Sequence, residues 1–436
     1  MHKLQNLVRF SAIIHKFFEV IIQQLSDLKR VLNISTPIKM NNTDYFNILW
    51  YFCLLFFAIF YKKGVIHMKL VCSKSNLLAG VQTVSKAVPS KTTMTILECI
   101  LIDTTKGVIS LTANDMELGI ETIIEGEIYE RGVIALEAKF FVDIVRKLPD
   151  SQITIETDEF FKTTITCDKA KFNIAGKSGE DFSYLPEIEK NESICLSQFT
   201  LKELIRQTIF SIADNDNNKL MTGELFEIKD SELKVVSLDG HRISLRKIEL
   251  KNSYPAKKVV VPGKTLQEIS KILPGSTEKD VEIFFTDKHI LFEFENTRVV
   301  SRLIEGEYFK IEQMLSNDYE TKVRINKKEF LDCIDRATLL IKEGEKKPII
   351  LNITEENLEL KIHTSVGSMN EDIDISKDGK DLMIGFNPKF LIDALRVIDE
   401  EEIDIYLVNP KAPCFIRDNE SKYVYLILPV NFVTID

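Results

Sequence analysis

The sequence predicts an α+β protein made of three copies of one domain, each an antiparallel sheet with two helices. Three observations lead there: one helical segment occurs three times, short β-branched strands surround it in a constant order, and polar turns separate those strands. The segment reads Ala-Lys-Phe-Phe-Val-Asp-Ile-Val-Arg-Lys-Leu-Pro at 138–149 and returns at 263–274 and 388–399, shifted by 125 residues each time without a gap. Phe141, Ile144, Val145 and Leu148 fall at i, i+3, i+4 and i+7, which is one helical stripe. Leu266, Ile269 and Leu273 repeat it, as do Leu391, Ala394, Leu395 and Ile398. Lys139, Lys264 and Lys389 share one position, and Arg146, Lys271 and Arg396 share another seven residues later. At about 100° per residue the two basic positions lie together, nearly opposite the apolar stripe. Each copy is expected to bury one side and present two cations from the other. A period this long indicates repeated domains rather than a solenoid.

Residues 1–67 differ from the rest. Tyr45 to Tyr61 is a 17-residue apolar stretch that holds Trp50 and is followed by Lys62 and Lys63. A membrane span needs about 20 apolar residues, so this one is short, and Asn47 weakens it further. Signal and anchor readings compete with a translation start at Met68, which opens a strand that begins the first repeat. The start at Met68 is the expectation adopted, with 1–67 outside the fold.

From Met68 each unit follows one order. An amphipathic helix comes early, at Ser75–Ala87, Leu201–Ile212 and Lys328–Ile341. Strands follow, at Glu98–Asp103 and Val108–Ala113, Gly223–Lys229 and Leu233–Leu238, and Ile349–Thr354 and Leu358–Thr364. Turns such as Thr105-Lys106-Gly107 and Asp230-Ser231 part them. A strand then enters the repeated helix, at Val133–Glu137, Lys258–Pro262 and Leu382–Phe386. Three more strands close the unit, in the first copy Gln152–Thr157, Thr163–Cys167 and Lys171–Ala175. Sheets covered on one face by helices are the expected packing. Polar segments near 187–192 and 316–320 divide the chain into 68–191, 192–319 and 320–436.

The bulk properties narrow the function. The net charge is −10, of which residues 1–67 carry +5 and the remainder −15. An acidic body argues against nonspecific nucleic-acid binding over the whole surface but allows a locally basic face. The seven cysteines show no CxxC spacing, which reads as reduced thiols in a cytoplasmic protein. Val261-Pro262-Gly263-Lys264-Thr265 imitates a phosphate-binding loop, but position 258 is lysine where the motif needs glycine; Ala175-Gly176-Lys177-Ser178 fails likewise, at Lys171. Asp214-Asn215-Asp216-Asn217-Asn218 imitates a calcium loop, but Lys219 and Leu225 stand where glycine and glutamate belong. Asp239, His241 and Ser244 are too close in sequence to converge as a triad. His241, His289 and His363 have no metal-ligand spacing. Neither a catalytic site nor a cofactor or metal is expected. A nucleotide-dependent enzyme and a membrane-anchored interaction protein are the alternatives, the first opposed by the missing loop glycine, the second dependent on Tyr45–Tyr61.

Three stretches carry a resemblance. One is Phe210-Ser211-Ile212-Ala213 with Gly223-Glu224-Leu225-Phe226-Glu227 and Leu238-Asp239-Gly240-His241-Arg242; the second is Leu111-Thr112-Ala113-Asn114-Asp115-Met116-Glu117; the third is Tyr425-Leu426-Ile427-Leu428-Pro429-Val430. In order and at this spacing, 68–436 resembles the bacterial DNA polymerase III beta subunit, the sliding clamp. The resemblance implies three DNA-clamp domains per chain, closing with a second copy head-to-tail as a six-domain ring, with helices on the inner face. It implies a non-catalytic processivity factor in the cytoplasm, with no membrane association. Its implied partners are duplex DNA bound without sequence preference, the replicative polymerase catalytic subunit, a clamp loader, and other clients carrying short linear peptides.

The resemblance also implies residue roles. The implied DNA-facing residues are Lys91, Lys139, Arg146, Arg206, Asn215, Lys219, Lys264, Lys271, Lys389 and Arg396. Asp143, Glu268 and Asp393, four residues after the shared lysines, offer i,i+4 pairs that would moderate the cationic field. The client-peptide pocket maps to Met221, Leu238, Gly240, His241, Arg242, Ile243, Phe309, Met314, Leu426, Leu428, Pro429 and Val430. Phe309 and Gln313 stand where the family pattern has Pro and Arg, and the chain runs past the usual end to Asp436. Phe172 and Ile174 match one side of the dimer contact, Leu339 and Leu340 the other.

Overall fold

The computed structural model describes residues 68–190, 193–214, 218–418, 420 and 422–432. The Tyr45–Tyr61 stretch lies outside the described residues. Among the described residues no helix is long and apolar enough to cross a membrane.

The first repeat contains β1 (Met68–Ser73), α1 (Lys74–Val84), β2 (Cys99–Asp103), β3 (Ile109–Asn114), β4 (Leu118–Ile124) and β5 (Glu127–Glu130). It continues with β6 (Val133–Glu137), α2 (Ala138–Lys147), β7 (Gln152–Thr157), β8 (Lys162–Cys167) and β9 (Ala170–Ser178). The second has β10 (Ser193–Ser197), α3 (Gln198–Thr208), β11 (Gly223–Leu238), β12 (Arg242–Pro262), α4 (Gly263–Ile272), β13 (Asp280–Phe285), β14 (His289–Phe294) and β15 (Thr297–Arg302). The third has β16 (Thr321–Asn326), α5 (Lys327–Thr338), β17 (Ile349–Ile353), β18 (Asn357–His363), β19 (Ser368–Gly379) and β20 (Leu382–Phe386). It ends with α6 (Pro388–Leu395), β21 (Glu402–Leu407), β22 (Cys414–Arg417) and β23 (Tyr423–Ile427).

Local chemistry explains the helix starts. Ser73, Ser197 and Asn326 cap α1, α3 and α5 by accepting from the backbone N–H three residues on. The repeated helix instead follows its strand directly in α2 and α4, with no side-chain cap. Its third copy, α6, is capped by Asn387, has Pro388 in its first turn, and stops at Leu395, short of the expected 399. The expected turn at Asp230-Ser231 lies inside β11. Asp230 there has φ 54° and the register shifts on either side of it.

Strands alternate their side chains between two faces. Phe226, Ile228 and Val235 of β11 join the core under the helices, which runs through the first two repeats, together with Phe141 and Leu266. Tyr423, Tyr425 and Ile427 of β23 join the corresponding core of the third repeat, with Leu391. Val236 and Leu238, Ile243 and Leu245, and Val424 and Leu426 point the other way and form a separate apolar cluster. The six described α-helices therefore lie on one face of the sheets, and this cluster lies on the opposite face.

Two strand pairs join the repeats. β15 pairs antiparallel with β4, and β23 pairs antiparallel with the first part of β12. Thr297 faces Thr122 in the first joint, and Tyr423 faces Arg246 in the second. The sequence reading lacked β4. Gly119, Glu121 and Thr122 interrupt its apolar pattern, and its stability comes from strands on both sides.

Candidate functional site

The cationic face forms as the helical period dictates. Phe141, Leu266 and Leu391 are at most 1% exposed, whereas Lys139, Arg146, Lys264, Lys271, Lys389 and Arg396 are all exposed. Burying each large apolar side chain contributes roughly 1.5–3 kcal/mol, which fixes how each helix is rotated. The cations themselves are moderated by acids, though not as the i,i+4 spacing suggests. Asp143 pairs with Arg146 at 3.2 Å and Glu268 with Lys271 at 2.8 Å, both i,i+3. Arg396 reaches Asp335 of α5 at 3.4 Å, and Lys264 pairs with Asp115 of the preceding repeat. Lys139 and Lys389 have no ion pair among the described residues. The Arg146–Asp143 and Arg396–Asp335 pairs are exposed on both sides and are worth at most about 1 kcal/mol, so an incoming anion exchanges with them easily, whereas Asp115 and Glu268 are largely buried beneath their lysines.

The remaining expected cations sit in varied settings. Lys91 is an exposed loop residue and Lys219 is exposed in a short 3-10 turn, Lys219–Thr222. Asn215 lies outside the described residues. Arg206 on α3 is half-buried, held by Glu203 at 2.6 Å and Asp399 at 3.2 Å. The bond to Glu203 outweighs burial and raises its already high pKa. It bridges the second and third repeats as well as facing outward.

The apolar cluster opposite the helices gathers most of the expected pocket. Leu238 lies opposite Ile243, and Ile243 opposite Leu426, so three side chains from two repeats make a continuous floor. Met221 and Phe309 pack on it, half-buried. His241, Met314 and Leu428 are exposed at the rim, with Pro429 and Val430 half-buried beside them. The turn at Gly240, φ 82°, is closed by the Asp239 carboxylate, which accepts from the His241 and Arg242 backbone N–H groups at 2.9 and 3.1 Å. The Leu428 N–H donates to the His241 carbonyl and the Val430 N–H to Gly385, each at 2.9 Å, so the C-terminal strap ties the turn to the third repeat. A cavity of about 380 Å³ adjoins this floor, sharing Leu225, Val260, Tyr308 and Phe309 with it.

Arg242 does not line that floor. It is 6% exposed, and its guanidinium lies over the rings of Phe210 and Phe390, with centroids at 5.5 and 4.6 Å. It donates to Asp239 at 3.0 Å, to Asp393 at 2.6 Å and to the Phe210 carbonyl. Asp393 is thus engaged by Arg242 and not by Lys389.

Among the described residues, β9 and β19 each leave one edge open along part of their length. Residues 170–175 of β9 pair only with β8, and residues 368–374 of β19 pair only with β18. Phe172 is 39% exposed on the first edge, and Ile174 is partly buried. Leu339, just past α5, is 81% exposed, while Leu340 packs partly into the third core.

The motif look-alikes serve structure. Lys264 is in its ion pair, and Thr265 shares a 2.6 Å hydrogen bond with Ser301 inside the protein. Ser244 is buried against Ser211 at 2.6 Å, away from exposed His241. Sequence reasoning missed Glu224, a fully buried carboxyl whose oxygens have no hydrogen-bond partner. Burial pushes its pKa from 4.5 up to about 8. The neighbouring Thr208 hydroxyl offsets only part of that, being committed to the Leu204 carbonyl at 2.7 Å.

Comparison with known proteins matches this geometry along the chain. The DNA polymerase III beta subunit N-terminal, central and C-terminal domain models match residues 68–186, 195–310 and 312–431. The beta sliding clamp of Staphylococcus epidermidis is 35% identical over 356 residues, covering 79% of this chain and 94% of the relative. That of Staphylococcus aureus is 33% identical over 374 residues, covering 83% and 99%. A crystal structure of a DNA polymerase III beta subunit from Eubacterium rectale is 75% identical, with TM-score 0.82, covering 84% of this chain and all of that one. The sliding clamp structure from Bacillus subtilis is 36% identical with TM-score 0.81 over the same shares. With all three domain models matched in order, the chain belongs to the bacterial DNA polymerase III beta subunit family, the DNA sliding clamps, which are processivity factors and not enzymes.

Proposed function

We propose that two copies of this chain close head-to-tail into a ring of six clamp domains, at 68–191, 192–319 and 320–436 of each, around duplex DNA. The supporting observation is the register of the two internal joints. Thr297 faces Thr122 in the first; adding 125 residues to Thr297 and to Thr122 gives 422 and 247, and the second joint pairs Tyr423 with Arg246, the adjacent rung of the same ladder. One operation therefore generates one joint from the other. Applied again, it brings β9 to the open edge of β19 in a second copy, with Phe172 facing Asp372, Asn173 facing Glu371 and Ile174 facing Asn370. Both edges are free for this, and unpaired strand edges favour pairing. Lys169 and Lys171 on one edge meet Glu371, Asp372 and Asp374 on the other, which favours this register over like-with-like pairing. Leu339 and Leu340 would cover Phe172 and Ile174.

In the ring the helix face lines the hole. Its cations then meet phosphates without reading bases, and topology rather than affinity retains the DNA. The acids beside them keep the field weak enough for sliding. The apolar floor around Leu238, Ile243 and Leu426 takes short linear peptides of the replicative polymerase, the clamp loader and other clients, an aliphatic groove with few polar groups at its rim. Free cysteine thiols support a reduced, cytoplasmic setting.

The test is retention on DNA of different topology. A nicked circle loaded by a clamp loader should hold the protein through gel filtration in high salt, and linearising the circle should release it. Equal retention on circle and linear DNA would sink the ring reading.

A further inference from the structure

We propose that the joint between two copies has a second, helix-side contact, in which Phe140 of one chain packs on Val366 of the other. This rests on the ring reading above. Both internal joints contain such a contact. In the first, Asp115, in the turn before β4, pairs with Lys264 in the first turn of α4. In the second, the His241 ring, in the turn before the joint segment of β12, lies 6.0 Å from the Phe390 ring in the first turn of α6. Asp115 to Lys264 and His241 to Phe390 are each a separation of 149 residues. The two joints therefore place the same turn against the same helix end.

The turn of the third repeat, Thr364 to Gly367, has no such helix against it among the described residues. It is nevertheless closed like its counterpart: the Thr364 N–H donates to the Gly367 carbonyl at 2.9 Å, as the Asp239 N–H does to Arg242 at 3.4 Å. The helix end left without a turn is that of α2, at Lys139 and Phe140. Val366 stands at the position of His241, and Phe140 at that of Phe390, each offset by multiples of 125. Val366 is 56% exposed and Phe140 is 55% exposed, although both are apolar. Phe390, in contrast, is half-buried by its turn. The turn residue stays exposed in both formed joints, as Met116 and His241 do, but the helix-side residue is covered in both, Thr265 at 2% and Phe390 half-buried, so the exposed apolar Phe140 points to a second copy as the occupant.

The same superposition sets the neighbour. Ser365 takes the place of Asp115, and Lys139 that of Lys264. The closing joint therefore lacks the ion pair of the first joint and uses an apolar contact beside it. Lys139 is left unpaired and available to phosphate.

The contact is tested with Phe140→Cys, Val366→Cys and the double variant, treated with a short bismaleimide crosslinker, with wild type as the background for native thiols. The double variant should give a covalent dimer on a denaturing gel, and neither single variant should. Phe140→Asp should raise the dimer dissociation constant at least ten-fold by light scattering or sedimentation, with the thermal midpoint of folding unchanged, since Phe140 is exposed in the single chain. A dimer that neither crosslinks at these positions nor weakens with Phe140→Asp would overturn this contact and leave the ring intact. Absence of any dimer in wild type would overturn both.

Discussion

Asp393, the acid of the third repeated helix, accepts a 2.6 Å hydrogen bond from Arg242 of the second repeat and leaves Lys389, four residues before it, without an ion pair among the described residues. The pair is largely buried, with side-chain exposures of 7% for Arg242 and 22% for Asp393. Removing one partner strands the other charge. Asp393→Ala should destabilise the protein by about 3 kcal/mol, in the range for broken buried pairs. Urea denaturation would show this, and Lys389→Ala is the matched control with a change below about 0.5 kcal/mol. Equal effects from the two substitutions would contradict the assignment.

Glu224 should make stability depend on pH. The folded chain holds its proton up to about pH 8, whereas the unfolded chain releases it near 4.5. Stability therefore falls as pH rises through that window and levels off above it. Glu224→Met, of similar size, should remove the penalty and gain on the order of 3 kcal/mol at pH 8, with little gain at pH 5. Denaturation of both proteins at the two pH values checks the sign as well as the size.

The unpaired lysines should matter more to DNA than the paired cations. Lys139→Ala and Lys389→Ala each remove a charge that no carboxylate among the described residues already shares. Each should lower the salt slope of DNA affinity by about one, the share of a single neutralised phosphate. Lys271→Ala, whose cation sits 2.8 Å from Glu268, should change the slope less. Affinity for a short duplex measured from low to moderate salt separates these cases.

Leu428 offers a clean probe of the groove. At 37% exposure it contributes little to folding, whereas Leu426 is buried at 4%. Leu428→Asp should weaken a polymerase-derived clamp-binding peptide at least ten-fold in fluorescence anisotropy and leave the thermal midpoint unchanged. Leu426→Ala should cost about 2–5 kcal/mol in folding as well.

The repeated helix was legible because it recurs without a gap, so its stripe and both cationic positions could be read residue by residue. What its acids bind was only partly legible. Asp143 and Glu268 found partners one turn away, though at i,i+3, but the partner of Asp393 comes from another repeat. Arg242 is the clearest case. Its burial depends on Phe210 and Phe390, rings brought from two repeats to one guanidinium, and no local pattern encodes that. β4 was missed because a strand held on both sides by neighbours can carry Gly119 and Glu121 at little cost. Glu224 gave no signal, since a glutamate in a strand normally reads as a solvent-facing position. The groove floor was placed by family likeness, and strand alternation then explains why those side chains share one face.

The open edges of β9 and β19 carry no instruction about how many chains to join. Each is complementary to the other and not to itself, so a chain that has captured one neighbour still offers an edge to the next. What stops the series is the angle turned at each joint: rotation that returns to its starting point makes a closed object, and rotation that overshoots makes a helical fibre from the same contacts. Residues that set this angle, in the segments linking the repeats, therefore govern particle size without touching either edge. A substitution there would be seen as polymer, with every strand pair still in register.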